Sequence, residues 1–314
     1  MERIGIVGAG LVGRAWAIVF ARAGFAVALH DRSDAILDAS LATIETSLGD
    51  LAAAGLLTEA PAAVRARMAR APSLAEAVRG ALYVQESLPE LPEVKREIFA
   101  ALDAAAAPDT ILASSTSAIP GSSFTEALAG RARCLVAHPV NPPHLVPVVE
   151  LCGTPWTAPD TIARARALME RAGQVPVTVK RELEGFILNR LQAALLNEAF
   201  RLIDGDFVSA EDLDKTIKDG LGLRWAFMGP METIDLNAPN GVADYMARYS
   251  PFFRRLDAEM KAAAPWRDAL AGALEAERRR QVPASGLAAA QAWRDRRLMA
   301  LLAHKAQMTK QTSK

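Results

Sequence analysis

Short apolar runs alternate with amphipathic stretches through the first half of the chain. Residues 3–7 predict a fully buried strand, residues 11–23 a helix that Gly24 ends, and residues 25–30 a second strand. The same reasoning predicts strands at 82–85, 110–114, 133–137, 146–151 and 175–179, and helices at 92–107 and 159–172. Strands that alternate with helices in this way indicate a parallel sheet covered by helices.

Two stretches depart from this alternation. Residues 33–79 are rich in Ala, Leu and Glu and contain Gly55 and Pro61, so they predict two or three helical pieces rather than one crossover. From Glu184 onward the strand-like runs stop and the pattern becomes helical. The predicted class is therefore α/β, with a Rossmann-like, doubly wound, mainly parallel sheet over 1–182 and a smaller all-helical domain over 183–314.

Composition narrows the kinds of partner that the chain could bind. The 36 basic residues balance the 36 acidic ones, so no overall field would hold a nucleic acid or an anionic membrane. No apolar stretch is long enough to span a bilayer, and the first residues lack the pattern of a signal peptide, so we expect a cytoplasmic protein. Only Cys134 and Cys152 are present, and the four histidines are scattered, so no metal site is expected.

A glycine motif follows the first predicted strand and opens the first predicted helix. Gly8, Gly10 and Gly13 have the spacing that lets backbone N–H groups approach a pyrophosphate, and Leu11 and Val12 lie between the last two. Asp31 ends the next strand, about 20 residues on, where a carboxylate bonds the ribose hydroxyls and repels a 2′-phosphate. This pattern favours NAD as the cofactor, although the neighbouring Arg32 would suit NADP.

His138 is the histidine best placed to act as a base. Alcohol oxidation by hydride transfer leaves a proton to be removed, and the ordinary pKa of histidine suits that task. His138 follows the predicted strand at 133–137, at the edge where open α/β sheets bind ligands, and Glu150 could return beside it. From the residues alone, a loop histidine without a catalytic role is an equally good interpretation.

Four stretches resemble the 3-hydroxyacyl-CoA dehydrogenase superfamily, and within it the lambda-crystallin type described as L-gulonate 3-dehydrogenases. The resemblance covers nearly the whole chain. The stretches are GAGLVGRAWA at 8–17, SSTS at 114–117, HPVNPP at 138–143 followed by Glu150, and GLGLRWAF at 220–227.

The resemblance implies roles for individual residues. His138 would be the catalytic base and Glu150 its partner, while Ser117 and Asn189 would contact the substrate hydroxyl. It also implies that the nicotinamide side of the cofactor is lined by Glu90, Lys95, Ser117 and Asn141. Without it, the favoured interpretations are a turn residue for Ser117 and a polar position near a helix start for Asn189. The helical domain is expected to pair two subunits into a homodimer.

The resemblance further implies oxidation of a C3 hydroxyl in an acidic small molecule, with L-gulonate as the expected substrate. We expect Arg224 to bind the substrate carboxylate, because a guanidinium matches a carboxylate in a two-pronged geometry. A salt bridge within the helical domain or across a dimer is the alternative for Arg224. A 3-hydroxyacyl-CoA, carnitine or other small hydroxy acid stays open as substrate, and a non-catalytic crystallin-like role is the alternative from another class.

Overall fold

One eight-stranded sheet forms the centre of the N-terminal part of this computed structural model, which describes residues 1–312 and side chains as far as Met308. The strands are β1 (Arg3–Val7), β2 (Ala26–His30), β3 (Met68–Arg70), β4 (Ala81–Glu86), β5 (Ile111–Ser114), β6 (Cys134–Pro139), β7 (Val148–Gly153) and β8 (Val175–Val179). Their order is β3-β2-β1-β4-β5-β6-β7-β8. All neighbours are parallel except β6 and β7, so the predicted mainly parallel sheet is confirmed.

Helices flank this sheet and make up the C-terminal part. They are α1 (Leu11–Arg22), α2 (Asp34–Ala53), α3 (Pro61–Arg65), α4 (Leu74–Val78), α5 (Pro92–Ala105), α6 (Ser122–Thr125), α7 (Pro159–Arg171), α8 (Leu188–Asp204), α9 (Ala210–Lys215), α10 (Gly222–Trp225), α11 (Pro230–Leu236), α12 (Gly241–Glu259), α13 (Asp268–Gln281) and α14 (Leu287–Thr312). A π-helical turn at Thr216–Leu221 joins α9 to α10.

The hydrophobic core has two layers, one on each face of the sheet. On one face α1, α2 and α7 contribute buried side chains such as Trp16, Ile44 and Met169. On the other, α5 and α6 contribute the ring pair Phe99 and Phe124. Burying this much apolar surface on both faces is what holds a parallel sheet together.

The structure differs from the sequence-based expectation at two strands. The stretch 33–79 contains β3 as well as helices, and this three-residue edge strand has one buried side chain, too little for an apolar run to reveal. Strand β6 reaches Pro139, so His138 lies within the strand rather than after it. Pairing with β7 extends β6 across this position.

Two compact units make up the chain. The first comprises Met1–Asn189 together with the chain from Trp293 onward, and the second is Arg190–Ala292. The first unit runs beyond residue 182 because Phe186 is fully buried in its core, and it includes much of α14 because Met299 packs there. The division into domains at 182/183 stays a prediction. Among the described residues, no helix combines the length and the apolar character needed to cross a membrane.

Candidate active site

The glycine turn between β1 and α1 has the shape that a dinucleotide requires. Gly8 has a φ of +95°, and a Cβ added there would lie 2.6 Å from the Ser87 carbonyl oxygen. A Cβ at Gly13 would lie 1.8 Å from the Gly8 oxygen, so only glycine allows α1 to pack this closely. A Cβ at Gly10 would meet nothing within 4 Å, which leaves the backbone open to a pyrophosphate.

Asp31 is fixed at the carboxyl end of β2 beside this turn. Its Oδ2 accepts a hydrogen bond from the Ala9 N–H at 2.8 Å, and its Oδ1 accepts one from the Ser33 N–H at 3.0 Å. A cavity of about 130 Å³ adjoins it, with Gly8, His30, Asp31, Arg32, Leu88 and Glu97 in its wall. Arg32 pairs with Glu97 at 3.0 Å. The turn, the carboxylate and the cavity fit the pyrophosphate, ribose and adenine of NAD.

Leu11 and Val12 are the first two residues of helix α1, directly after Gly10. Leu11 is exposed, while Val12 packs against the core. Their backbone N–H groups belong to the first turn of the helix, where no intrahelical acceptor exists. The predicted cofactor role of both residues therefore rests on the backbone rather than on the side chains.

His138 and Glu150 face each other across β6 and β7. The antiparallel register places them opposite, and His138 Nδ1 lies 2.8 Å from Glu150 Oε2. Both are buried, with 4% and 1% of their surface exposed. The Phe186 ring lies 5.4 Å from the imidazole. The pair that the sequence could only suggest is formed directly by strand register.

The second oxygen of Glu150 is also occupied. Glu150 Oε1 accepts hydrogen bonds from the Ile187 N–H at 2.9 Å and the Leu188 N–H at 3.0 Å, at the start of α8. Burial raises the pKa of the Glu150 carboxyl, but the bonds from His138, Leu188 and Ile187 outweigh it and hold the pKa below its usual 4.5. Glu150 is thus ionised at neutral pH and can accept a hydrogen bond from the Nδ1–H of His138, an arrangement that leaves Nε2 without a proton.

The loop after β5 carries Ser117. Glu90 Oε1 accepts hydrogen bonds from the Ser117 N–H at 2.9 Å and the Ala118 N–H at 3.1 Å, and also from the Thr116 hydroxyl. Asn189 Nδ2 donates to the Ser117 carbonyl oxygen at 2.8 Å. The structure therefore joins three of the predicted residues, Glu90, Ser117 and Asn189, in one hydrogen-bonded arrangement.

Lys95 is buried, and the carboxylate nearest to it belongs to Glu86 rather than to Glu90. Its side chain is 1% exposed, and its Nζ lies 2.8 Å from Glu86 Oε1 but 4.0 Å from Glu90 Oε2. Sequence reasoning missed Glu86, the last residue of β4. A charged residue that ends a buried strand at the ligand-binding edge is the signal that could have revealed it.

Asn141 and Arg224 are both exposed. Asn141 precedes a cis peptide bond to Pro142 in the loop between β6 and β7. Arg224 lies on α10 in the second unit and forms no salt bridge with any residue that the structure describes. Of the two interpretations of Arg224, the salt bridge within the helical domain is therefore not seen among those residues.

The two cysteines are buried thiols on neighbouring strands. Burial, together with nearby carboxylates, raises the pKa of both Cys134 and Cys152 to about 12. Neither thiol is reactive in this form. Within residues 1–312, no group of three or more His, Cys, Asp or Glu side chains is arranged to hold a metal ion.

Comparison with known families accounts for most of the chain. Residues 3–182 match the model of the 3-hydroxyacyl-CoA dehydrogenase NAD-binding domain, and residues 185–281 match that of the 3-hydroxyacyl-CoA dehydrogenase C-terminal domain.

Individual relatives agree with these matches. A lambda-crystallin homolog of Mus musculus is 42% identical over 96% of this chain and 96% of its own length. The L-carnitine dehydrogenase of Streptomyces coelicolor is 37% identical over 80% of this chain and 78% of its own. Among solved structures, 5-formyl-3-hydroxy-2-methylpyridine 4-carboxylic acid 5-dehydrogenase, an NAD+ dependent dismutase, has a TM-score of 0.82 at 28% identity and covers 96% of this chain and 97% of its own.

Proposed function

From the premise that the chain belongs to the 3-hydroxyacyl-CoA dehydrogenase family and is an NAD-dependent dehydrogenase, we propose its substrate. The proposed reaction is oxidation of the C3 hydroxyl of an acidic substrate, and L-gulonate is the proposed substrate. The observation that carries the proposal is the buried contact of 2.8 Å between His138 and Glu150. A base oriented by a buried carboxylate is what removal of a hydroxyl proton requires.

His138 takes the proton of the substrate hydroxyl on Nε2, since Nδ1 is directed at Glu150. The imidazolium that forms is stabilised by the negative charge of Glu150, which burial keeps from being screened by water. Bound NAD supplies the acceptor for the hydride that leaves the substrate carbon. The three backbone and side-chain bonds to Glu90 and the bond from Asn189 hold the Ser117 loop, so that Ser117 and Asn189 position the substrate oxygen.

L-gulonate is proposed because two segments resemble the gulonate enzymes more than the CoA enzymes. These are the Pro142-Pro143 pair and the segment around Arg224. Arg224 is exposed, and no carboxylate of the described residues pairs with it, so its guanidinium is available to a substrate carboxylate. The product would be 3-dehydro-L-gulonate.

A second candidate is L-carnitine, which is also a 3-hydroxy acid. Several L-carnitine dehydrogenases are among the relatives, at 36–37% identity. A 3-hydroxyacyl-CoA is the third candidate substrate, because the matched family is that of the 3-hydroxyacyl-CoA dehydrogenases.

The deciding experiment is NAD reduction, followed by the absorbance of NADH, with L-gulonate, L-carnitine, L-3-hydroxybutyrate and L-3-hydroxybutyryl-CoA compared at equal concentration. The highest kcat/KM with L-gulonate supports the proposal. Preference for the thioester or for carnitine overturns the substrate and keeps the dehydrogenase chemistry. Absence of turnover with all four would favour the crystallin-like alternative.

We also propose that the second unit pairs with a second copy of this chain. Helix α12 has no buried residue, although Val242, Met246, Tyr249 and Phe253 form an exposed apolar stripe along it. Such a stripe is normally covered, and a twofold axis lets the stripe of one subunit pack on that of the other.

We expect a dimer by light scattering, and a monomer for the double variant Tyr249→Glu with Phe253→Glu. Ala247→Glu, on another face of α12, is the control that stays dimeric, and a monomeric parent protein would refute the pairing.

A further inference from the structure

Glu86 and Lys95 form a buried ion pair that the proposed reaction does not use. Their side chains are 0% and 1% exposed, and Lys95 Nζ lies 2.8 Å from Glu86 Oε1. Removing two charges from water is costly, and a buried pair is commonly no more stabilising than apolar residues of the same size. Stability alone is therefore a weak explanation for this pair, and its contacts indicate another.

The two side chains together hold the backbone of Leu88. Glu86 Oε1 accepts a hydrogen bond from the Leu88 N–H at 2.6 Å, and Lys95 Nζ donates to the Leu88 carbonyl oxygen at 3.0 Å. Glu86 Oε2 is fixed in turn by the Ser114 hydroxyl at 2.6 Å. The backbone N–H and the carbonyl oxygen of Leu88 are thus both held by one ion pair, which restrains the segment that follows β4.

This segment, residues 87–90, lies between the two parts of the site. At its start, the Ser87 N–H donates to the Val7 carbonyl oxygen at 2.7 Å, and the Ser87 carbonyl packs against Gly8 in the dinucleotide turn. Leu88 lines the cavity beside Asp31. At its end, Glu90 holds the Ser117 loop. A shift of this segment would move both the dinucleotide turn and the substrate-positioning loop.

We infer that Glu86 is a positioning residue, which acts through Lys95 to set residues 87–90 against the bound NAD and the Ser117 loop. Lys95 then serves the cofactor without touching it, because its ammonium is enclosed by Glu86 and the Leu88 carbonyl. The link to the Ser117 loop rests on the proposed function; the link to NAD rests only on the dinucleotide turn.

The test is a double-mutant cycle on NAD affinity, measured by calorimetry without substrate. Glu86→Gln and Lys95→Met are each expected to weaken NAD binding by about tenfold, since a buried charge left without its partner repels or displaces the segment that it held. The double variant is expected to bind no more weakly than the weaker single variant, because residues that act as one unit are not additive.

Thr110→Val provides a matched control for loss of stability. Thr110 is also fully buried, and its hydroxyl donates to the Ala81 carbonyl oxygen at 2.7 Å, at the opposite ends of β4 and β5. This variant is expected to lower the melting temperature while NAD affinity stays within about twofold of the parent. If Glu86→Gln does not fold, Ser114→Ala removes only the donor to Oε2 and is expected to weaken NAD binding about threefold.

Glu86→Gln that loses stability but keeps parental NAD affinity would assign Glu86 a structural role alone. Single effects that multiply in the double variant would show that Glu86 does not act through Lys95. Parental NAD affinity in Ser114→Ala, where that variant is needed, would overturn the inference as well. A failure of the substrate comparison leaves all of these outcomes readable, because none of them depends on turnover.

Discussion

His138 on β6 lies directly opposite Glu150 on β7, with Nδ1 2.8 Å from Oε2. These strands are the antiparallel pair of the sheet, so the chain turns back after the histidine and brings the carboxylate to it twelve residues later. The register of β6 and β7 therefore positions both side chains, and β8 pairs with β7 at Glu150 on its other side. The geometry of this pair leads to the first two predictions.

Replacing His138 by Gln should lower kcat by about 100-fold or more, because a general base contributes at least that factor to proton removal. NAD affinity should stay near the parental value, since His138 is not part of the dinucleotide turn. Steady-state kinetics and calorimetry measure the two quantities. His304→Gln changes an exposed histidine of α14 and should leave kcat unchanged. Turnover of His138→Gln within a few-fold of the parent would show that another group is the base.

Replacing Glu150 by Gln should lower kcat, lower the free energy of unfolding near neutral pH, and weaken the decline of that free energy in acid. The folded pKa of Glu150 is held below 4.5, so its contribution to stability is present above about pH 4.5 and is lost as the pH falls through the folded pKa. Unfolding free energy measured against pH should lose this acid-dependent part in the variant. Glu259→Gln, at an exposed position of α12, is the matched control. If the free energy of unfolding of Glu150→Gln declined in acid as steeply as that of the parent, the role of Glu150 as an ionised hydrogen-bond acceptor would be contradicted.

His144 should make the free energy of unfolding depend on pH in a higher range than Glu150 does. Burial is the main cause that lowers the pKa of its imidazole from 6.5 to about 4; Arg22 and Arg14 act in the same direction, and Asp295 opposes them. Since the folded pKa is depressed, the neutral form is favoured, and stability is complete above about pH 6.5 and declines toward about pH 4. The expected loss of unfolding free energy between about pH 7 and about pH 5 is about 2 kcal/mol.

The variant His144→Phe should remove this decline. The Nδ1 atom of His144 is buried without a hydrogen-bond partner among the described residues, so an apolar ring loses no bond there. Chemical denaturation at the two pH values gives the comparison, with His304→Gln as the control that keeps the parental dependence. An equal decline in His144→Phe and in the parent would assign it to other groups.

Two carboxylates that line the cavity beside the dinucleotide turn should determine the preference for NAD over NADP. Asp31 and Glu97 both line it, and Glu97 pairs with Arg32, the cation that would suit a 2′-phosphate. Asp31→Asn with Glu97→Gln should lower the ratio of kcat/KM for NAD to that for NADP by about tenfold or more, because repulsion is removed and Arg32 is released. Asp34→Asn, an exposed carboxylate on α2 paired with Arg70, should keep the parental ratio. A parental ratio in the double variant would place cofactor selection elsewhere.

Arg224→Met should raise KM for acidic substrates by about tenfold, the loss expected when a charge-assisted bond to a carboxylate is removed. KM for the uncharged amide of the same hydroxy acid should not change. Arg224→Lys should recover part of the affinity, because it restores the charge but not the two-pronged geometry. Arg248→Met serves as the control, since that arginine pairs with Asp244 on α12. An unchanged KM for acids would exclude Arg224 as the carboxylate ligand.

The local pattern of the sequence determined most of the sheet and the dinucleotide turn. Apolar runs located seven of the eight strands, because a buried parallel strand must be apolar on both faces. Gly8, Gly10, Gly13 and Asp31 could be interpreted from spacing alone, since turn geometry and strand ends are local properties. Strand β3 was missed because an edge strand of three residues buries too little to leave a pattern.

Only the tertiary structure decided which polar groups meet. No local pattern pairs Lys95 with Glu86 rather than with Glu90, because that choice depends on how α5 packs beside the end of β4. Likewise, Glu150 reaches the start of α8 only because Phe186 is buried in the first unit. Hydrophobic periodicity determines which face of an element is buried. Polar contacts between distant elements require their atoms to be placed to within a few tenths of an ångström, and that placement arises only when the whole core is assembled.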